Sequence, residues 1–234
     1  MNANTITMEQ GNLSDGKKTG QGIQKALRIL YFVLIPVLCV TLGLAWWQYP
    51  EPFDFVEEYI SNLGAINSEE GYSNTTSLII VVVGFSILAA ISIAIAIIYF
   101  IRRDLRFNWL KGGLNIVLAF GAIFLAFPHD FSNRLIHGIG AVTFLLCFAI
   151  MNFTLQLLRF TRRHYKNPPV DKVDFTVDLI VVIITFVLVV FLGVLWIVDE
   201  TIGITITAFI PQLWQKLVLI IDSVAIFCLD INDM

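Results

Sequence analysis

The chain has 234 residues, of which 57% are apolar and only 14% are charged, and its formal net charge at pH 7 is −3. A mean hydropathy of +0.81 excludes an ordinary soluble domain. Long uncharged runs are typical of membrane-spanning helices, and because they are continuous rather than alternating, they favour helices over a β-barrel. We therefore predict an all-α, polytopic membrane protein.

The predicted organisation is a polar tail over residues 1–22, expected to be disordered, followed by one transmembrane domain over residues 23–234. A bilayer core of ~30 Å needs about 20 helical residues. Six hydrophobic runs have roughly this length, so we predict a six-transmembrane-helix bundle. The predicted spans are 29–47, 77–101, 112–127, 135–158, 175–198 and 211–229.

The basic residues are distributed unevenly along the chain. In a six-span topology, 13 of the 15 Lys and Arg residues fall on one side of the membrane. Cytoplasmic loops carry such an excess, so both termini are predicted to face the cytoplasm of a multi-pass protein in the cell membrane. Membrane orientation and contact with lipid headgroups explain the basic runs, and no nucleic-acid partner is predicted.

The segment 126–141, AFPHDFSNRLIHGIGA, places two of the three His residues of the chain on either side of a turn between the third and fourth spans. The turn lies at the predicted outer surface, together with the long connection 48–76, which contains the motif EEYISNLGA. Long connections are more often functional than short ones. His129, Asp130 and His137 are therefore predicted to form one wall of a polar pocket.

Polar residues on the sixth span complete this pocket. At 100° per residue, five polar side chains fall within an arc of about 120°, facing the bundle interior. Lys216 is expected ~8 Å below Pro211, and Asp222 ~16 Å below it. An ionisable group at such a depth needs a partner or a wet cavity. The five residues are Gln212, Gln215, Lys216, Asp222 and Ser223.

Three short segments carry a resemblance to a known family. YISNLGA after the first span, FP followed by His137 between the third and fourth spans, and LWQK at the start of the last span resemble the six-helix membrane family named domain of unknown function 998. EYISNLGA and IHGIGAVTFLLC are also similar to the eukaryotic Frag/DRAM/Sfk group, with its Cwh-like N-terminal domain. The matching positions are Tyr59, Ser61, Asn62, Gly64, Pro128, His137, Gln215 and Lys216. The resemblance implies a link to membrane lipids, lipid anchors and autophagy-related membranes.

Two functions follow from the predicted pocket, and whether the protein is an enzyme stays open. In the first, the protein is a lipid-binding or membrane-organising protein without catalysis. Its pocket binds or shields a lipid headgroup, moves a small solute or mainly supports a partner, and Asp222 is a proton- or ion-linked group. The binding residues are Tyr59, Asn62, Gln215, Lys216 and Asp222. In the second, the protein is an intramembrane lipid-acting hydrolase or remodelling enzyme that uses His-assisted attack or a metal-bound water. Its catalytic candidates are Ser61, His129, Asp130 and His137. His129, Asp130 and His137 have no recognised metal spacing, so no metal site is predicted, and no cofactor is assigned.

Overall fold

A computed structural model describes residues 3–128, 134–166, 171–202 and 211–229, with side chains for 22–128, 135–165, 171–194 and 212–229. These residues form helices and no strand, as predicted, apart from one isolated β-bridge between Asn67 and Ser73. The helices are α1 (Ala3–Trp47), a 3₁₀ helix (Ile60–Gly64), α2 (Thr75–Ile101), α3 (Asn108–Leu125), α4 (Arg134–Thr161), a π-helix (Arg162–Lys166), α5 (Lys172–Ile202) and α6 (Pro211–Phe227).

Five of the described helices are long and apolar enough to cross a membrane: Gly22–Trp47, Thr75–Ile101, Asn108–Leu125, Leu135–Tyr165 and Lys172–Val194. They support a multi-pass membrane protein. The predicted sixth span corresponds to α6, which has 17 residues. Its length is ~25 Å, somewhat less than a bilayer core, and it carries Lys216 and Asp222. Five of the described helices are therefore candidate spans by length and composition, and the sixth stays a prediction.

The predicted tail overlaps α1, which begins at Ala3. Side chains are described only from Gly22 onward, so the disorder predicted for 1–22 is not tested. Beyond this point, α1 contributes Leu27, Tyr31, Leu34 and Leu38 to the bundle core.

Sequential helices pack side by side, and α6 packs against α4, α5 and α1. Glycine permits a close approach between α3 and α4. A methyl group on Gly121 would lie 2.6 Å from the backbone nitrogen of Phe144, and one on Gly140 would lie 2.7 Å from that of Leu125. These distances leave no room for a Cβ, so the two glycines allow the backbones of α3 and α4 to pack closely at these positions.

The bundle has two chemically different ends. The cap end carries residues 48–74, the end of α3 and the beginnings of α4 and α6. The basic end carries the turn 102–107, the π-helix and the beginning of α5. Phe107, in the turn before α3, adopts a left-handed backbone conformation with φ of 55°, which is sterically costly for an aromatic residue.

Candidate functional site

The segment 48–74 folds as a cap that is fastened to the beginning of α2. The Asn74 side chain is 1% exposed, and its Nδ2 donates to the carbonyl oxygens of Leu63 (3.1 Å) and Ala65 (3.0 Å), with a longer contact to that of Asn62 (3.4 Å). The Ser77 hydroxyl also donates to the Leu63 carbonyl, at 2.8 Å. Asn74 begins the sequon Asn-Thr-Thr, but its buried amide is engaged in the fold and is not available for glycosylation in the folded protein.

Lys216 holds the cap from the opposite side, through α6. Its side chain is 2% exposed, and its ammonium donates to the carbonyl oxygens of Phe55 and Glu58, the latter at 2.5 Å. The ammonium also lies 5.2 Å from the ring centre of Phe53 and 4.9 Å from that of Phe55. Carbonyl dipoles and aromatic faces thus stabilise a cation that an apolar environment would otherwise exclude. Lys216 therefore connects α6 to the cap.

Gln215 adds a second connection between α6 and the cap. Its Oε1 accepts a hydrogen bond from the backbone N–H of Ile60, at 3.2 Å. This N–H belongs to the first turn of the 3₁₀ helix, where backbone donors have no partner within the helix. Gln215 and Lys216 are adjacent in sequence, so one turn of α6 fixes both the 53–58 loop and the 3₁₀ helix.

A small cavity lies beneath the 3₁₀ helix. Its volume is about 30 Å³, which is enough for about one or two water molecules. Three polar residues border it, Ser61, His137 and Gln215, and the other walls are mainly apolar side chains of α1, α2, α3, α4 and α6. The structure thus brings Ser61, His137 and Gln215 together at the border of one cavity.

His137 is 2% exposed and is oriented by the chain that precedes α4. Its Nδ1 lies 2.8 Å from the carbonyl oxygen of Phe127. A carbonyl only accepts, so Nδ1 carries the proton, and in a neutral ring Nε2 then carries the basic lone pair. His137 thus has the tautomer of a ring whose Nε2 is a base or a ligand atom.

Carboxylates surround the outer surface of the cap. Asn62 donates to Glu69 at 2.8 Å and, more distantly, to Glu58 at 3.5 Å. Glu51 accepts from the backbone N–H groups of Glu69 and Glu70. Hydrogen bonds from the N–H groups of Glu57 and Val56 hold the pKa of the Asp54 carboxyl below its usual value.

The predicted binding residues therefore occupy different environments. Asn62, Gln215 and Lys216 make the cap contacts described above, and Tyr59, directly before the 3₁₀ helix, is 39% exposed. Asp222 lies away from the cap on α6, where its Oδ1 accepts from Asn152 of α4 at 2.8 Å. His129 and Asp130 lie outside the described residues. Within the described ranges, no group of three or more His, Cys, Asp or Glu residues is arranged to hold a metal ion.

Asp178, which was not among the predicted site residues, is surrounded by a cluster of polar side chains at the basic end. This residue of α5 is 3% exposed. Its carboxylate lies 2.9 Å from both the Arg159 and Arg163 guanidinium groups and 3.0 Å from His164 Nε2. The spacing offered a signal, because Arg159 and Arg163 are four residues apart, as are Asp174 and Asp178, which places each pair on one helix face.

Comparison with known proteins finds a family model that matches this chain. The model of a protein family described as Protein of unknown function (DUF998) matches residues 32–229 of this chain. The matched range includes the cap, the cavity, Lys216 and Asp178. No curated protein and no solved structure matches the chain.

Proposed function

The chain belongs to the DUF998 family of proteins of unknown function, and we propose that it binds a membrane lipid at the cap end of its bundle, without catalysis. The cavity beneath the 3₁₀ helix carries this proposal. Its apolar walls suit an acyl chain, while Ser61, His137 and Gln215 offer hydrogen bonds to an ester or a headgroup.

The seam between α1 and α6 is the proposed entrance for the lipid. Leu42 of α1 and Leu219 of α6 both border the cavity, so the two helices flank it at the cap end. At the basic end the same two helices are in contact, since the rings of Phe32 and Phe227 are 5.3 Å apart. The cavity itself is too small for a whole headgroup, so the lipid inserts one segment and leaves the rest in the bilayer.

Filling the cavity tests this proposal. Ala141 lines the cavity, and the Ala141→Met side chain would occupy it. Ala90 is exposed on α2, so Ala90→Met is the matched control. Native mass spectrometry of protein purified in mild detergent should find a stoichiometric lipid on the wild type and on Ala90→Met, and little on Ala141→Met. Equal lipid content in all three proteins would contradict the proposal.

We also propose that the cap end is extracytoplasmic and that both termini are cytoplasmic. The basic loops support this orientation, because 102–107 and 159–172 lie at the end opposite the cap. Labelling of intact cells with a membrane-impermeant maleimide is the test. An exposed cap residue, as in Glu70→Cys, should react, and a residue of the basic turn, as in Arg103→Cys, should not. Reaction of Arg103→Cys alone would reverse the orientation.

A lipid hydrolase is the second candidate, favoured by Ser61 and His137 bordering one cavity. Ser61 would be the nucleophile and His137 Nε2 the base. His137→Asn retains a donor for the Phe127 carbonyl and removes the base. It and Ser61→Ala should each lower hydrolysis of a fluorogenic phospholipid ester by about 100-fold or more, whereas Ser86→Ala, exposed on α2, should not. Absence of hydrolysis by the wild type, or full activity in Ser61→Ala, would refute the enzyme.

A relation to the Frag/DRAM/Sfk group is part of the proposal. What supports it is that the two segments carrying the resemblance, EYISNLGA and IHGIGAVTFLLC, meet at the cavity. A methyl group on Gly64 would lie 3.9 Å from His137 Cε1. A solved structure from that group tests the relation, since its equivalent segments should meet in the same way.

A further inference from the structure

Buried polar side chains form a hydrogen-bonded path that the proposed lipid site does not use. It begins at Asp222 of α6 and continues along α4 through Asn152, Gln156 and Arg159 to Asp178 of α5. The successive contacts are 2.8 Å (Asp222 to Asn152), 3.4 Å (Asn152 to Gln156), 3.4 Å (Gln156 to Arg159) and 2.9 Å (Arg159 to Asp178). Each turn of α4 thus offers a hydrogen-bonding group between the bundle interior and the basic end.

Asp222 is the inner end of this path. It is 0% exposed, and its Oδ2 has no hydrogen-bond partner among the residues that the structure describes. Among the described side chains, the charged groups on the helices packed against α6 and on α6 itself are Lys25 and Arg28 of α1, Arg159 of α4, Lys172, Asp174 and Asp178 of α5, and Lys216. None of them forms an ion pair with Asp222 in the described ranges. A carboxylate in this position is costly unless it takes up a positive charge.

The neighbours of Asp222 favour a proton over a metal cation. A cation of the alkali or alkaline-earth type requires several oxygen ligands around it. The groups directed at this region are instead N–H donors: Asn152 Nδ2, which contacts both Oδ1 and the backbone oxygen of Asp222, and Gln156 Nε2, which donates to the Ala225 carbonyl at 2.5 Å. Amide donors repel a metal ion but tolerate a carboxylic acid.

The outer end of the path is His164, which borders a pocket at the basic end. This residue donates or accepts at Asp178 through Nε2, at 3.0 Å, and borders a wide pocket of about 440 Å³ with Lys172, Phe175 and Thr176. The His164 side chain is itself only 4% exposed, so the path meets water where the imidazole borders this pocket.

We propose that Asp222 is a proton-binding site in exchange with water at the basic end, along Asn152, Gln156, Arg159, Asp178 and His164. The carboxylate of Asp222 takes one proton on Oδ2 and becomes a neutral acid, and the proton comes from water at the His164 pocket. Side-chain amides do not themselves transfer protons, so water that enters the chain transiently completes the path. Bound lipid is not required for this exchange.

Infrared difference spectroscopy of the full chain in lipid nanodiscs tests the site. Between alkaline and mildly acidic buffer, the wild type should gain a carboxylic acid carbonyl band that shifts when aspartate is isotope-labelled at its carboxyl carbon. Asp222→Asn should lack this band, and Asp171→Asn, an exposed carboxylate at the start of α5, should retain it. A wild-type band that is absent or never titrates overturns the proposal, as does loss of the band on adding Na⁺ at constant pH.

Exchange of the same band in heavy water tests the path. Gln156→Leu should slow the exchange by about tenfold or more, whereas Gln48→Leu, at an exposed position directly after α1, should leave it unchanged. If Gln156→Leu does not fold, His164→Gln, which retains a donor for Asp178 and loses the titratable ring, should slow the exchange as well. Unchanged exchange in the folded path variants would overturn the path.

Discussion

The two ends of the bundle neutralise a buried charge in different ways. At the cap end, the Lys216 ammonium is stabilised by the carbonyl dipoles of Phe55 and Glu58 and by two aromatic rings. At the basic end, the Asp178 carboxylate is stabilised by two guanidinium groups and the His164 ring. Both residues are almost fully buried, at 2% and 3% exposure. The direct contacts of Lys216 are therefore backbone dipoles and aromatic faces, with the Asp54 and Glu58 carboxylates acting from farther away, whereas Asp178 forms direct ion pairs.

The two ends of the bundle should therefore respond differently to substitution. Dipoles from one loop act only while the loop keeps its conformation, so the Lys216 centre couples the stability of α6 to that of the cap. Two guanidinium groups and one imidazole around a carboxylate are partly redundant, but the carboxylate itself is not, because its loss leaves both guanidinium groups without their shared partner. The following substitutions test this contrast.

The largest effect is expected for Asp178→Asn. Removing the carboxylate leaves the Arg159 and Arg163 guanidinium groups without their shared counter-charge and His164 without a hydrogen-bond partner, which should lower the free energy of unfolding by about 3–5 kcal/mol. Reversible unfolding in mixed detergent micelles measures it. Asp174→Asn is the control, since Asp174 is exposed and 3.7 Å from Arg163, and its cost should stay within about 0.5 kcal/mol. Similar costs for the two variants would show that the buried centre is not special.

Lys216→Met should have the next largest effect. The substitution removes the donor for two cap carbonyls and should cost about 2–3 kcal/mol. The loss should be local as well as global, with faster amide hydrogen exchange in residues 53–60 than in α3. Lys172→Met, an exposed lysine at the basic end, is the matched control. Unchanged exchange in the cap would mean that Lys216 does not hold the loop.

Asn74→Ala should have a smaller effect on the same cap. Leu63 and Ala65 lose their side-chain donor, but Ser77 still donates to the Leu63 carbonyl, so the expected cost is about 1–2 kcal/mol. Asn67→Ala, an exposed asparagine in the same segment, should be nearly neutral. Thermal unfolding of the two variants side by side gives the comparison, and equal midpoints would argue against Asn74 as the fastening point.

Phe107→Gly should have the smallest effect and the opposite sign. Because Phe107 has a φ of 55°, glycine relieves the steric cost of the left-handed conformation and should stabilise the basic end by about 1 kcal/mol. Arg106→Gly, at a neighbouring position without a positive φ, should instead be destabilising. A loss of stability in both variants would mean that lipid or side-chain contacts of the Phe107 ring outweigh the strain.

Local pattern was enough to predict several residues of the candidate site. Gln215 and Lys216 were placed on the inward stripe of α6 because the helical period of 3.6 residues fixes the angle between side chains. Ser61 and His137 were placed at the same end because alternating connections of a helical bundle return to the same side. Gln215, Ser61 and His137 border the cavity of the structure, whereas Lys216 contacts the cap and does not border it.

The partners of the buried charges were not predictable in the same way. Lys216 was expected to bind a lipid headgroup, yet its described hydrogen-bond partners are backbone carbonyls, which carry no mark in the sequence. Asp178 was overlooked because Asp171, Asp174 and Asp178 resemble a solvated helix start, and only packing selects which of them is buried.

By itself, the sequence determined the helical membrane class, the approximate positions of the helices and the uneven distribution of basic residues. These properties follow from hydrophobicity and from periodicity over neighbouring residues, which are short-range. Tertiary structure alone decided the fastening of the cap by Asn74, the capture of Lys216 by loop carbonyls and the clustering around Asp178. Each of these is a contact between distant segments, and its energy depends on atomic distances and desolvation that exist only after the helices have packed.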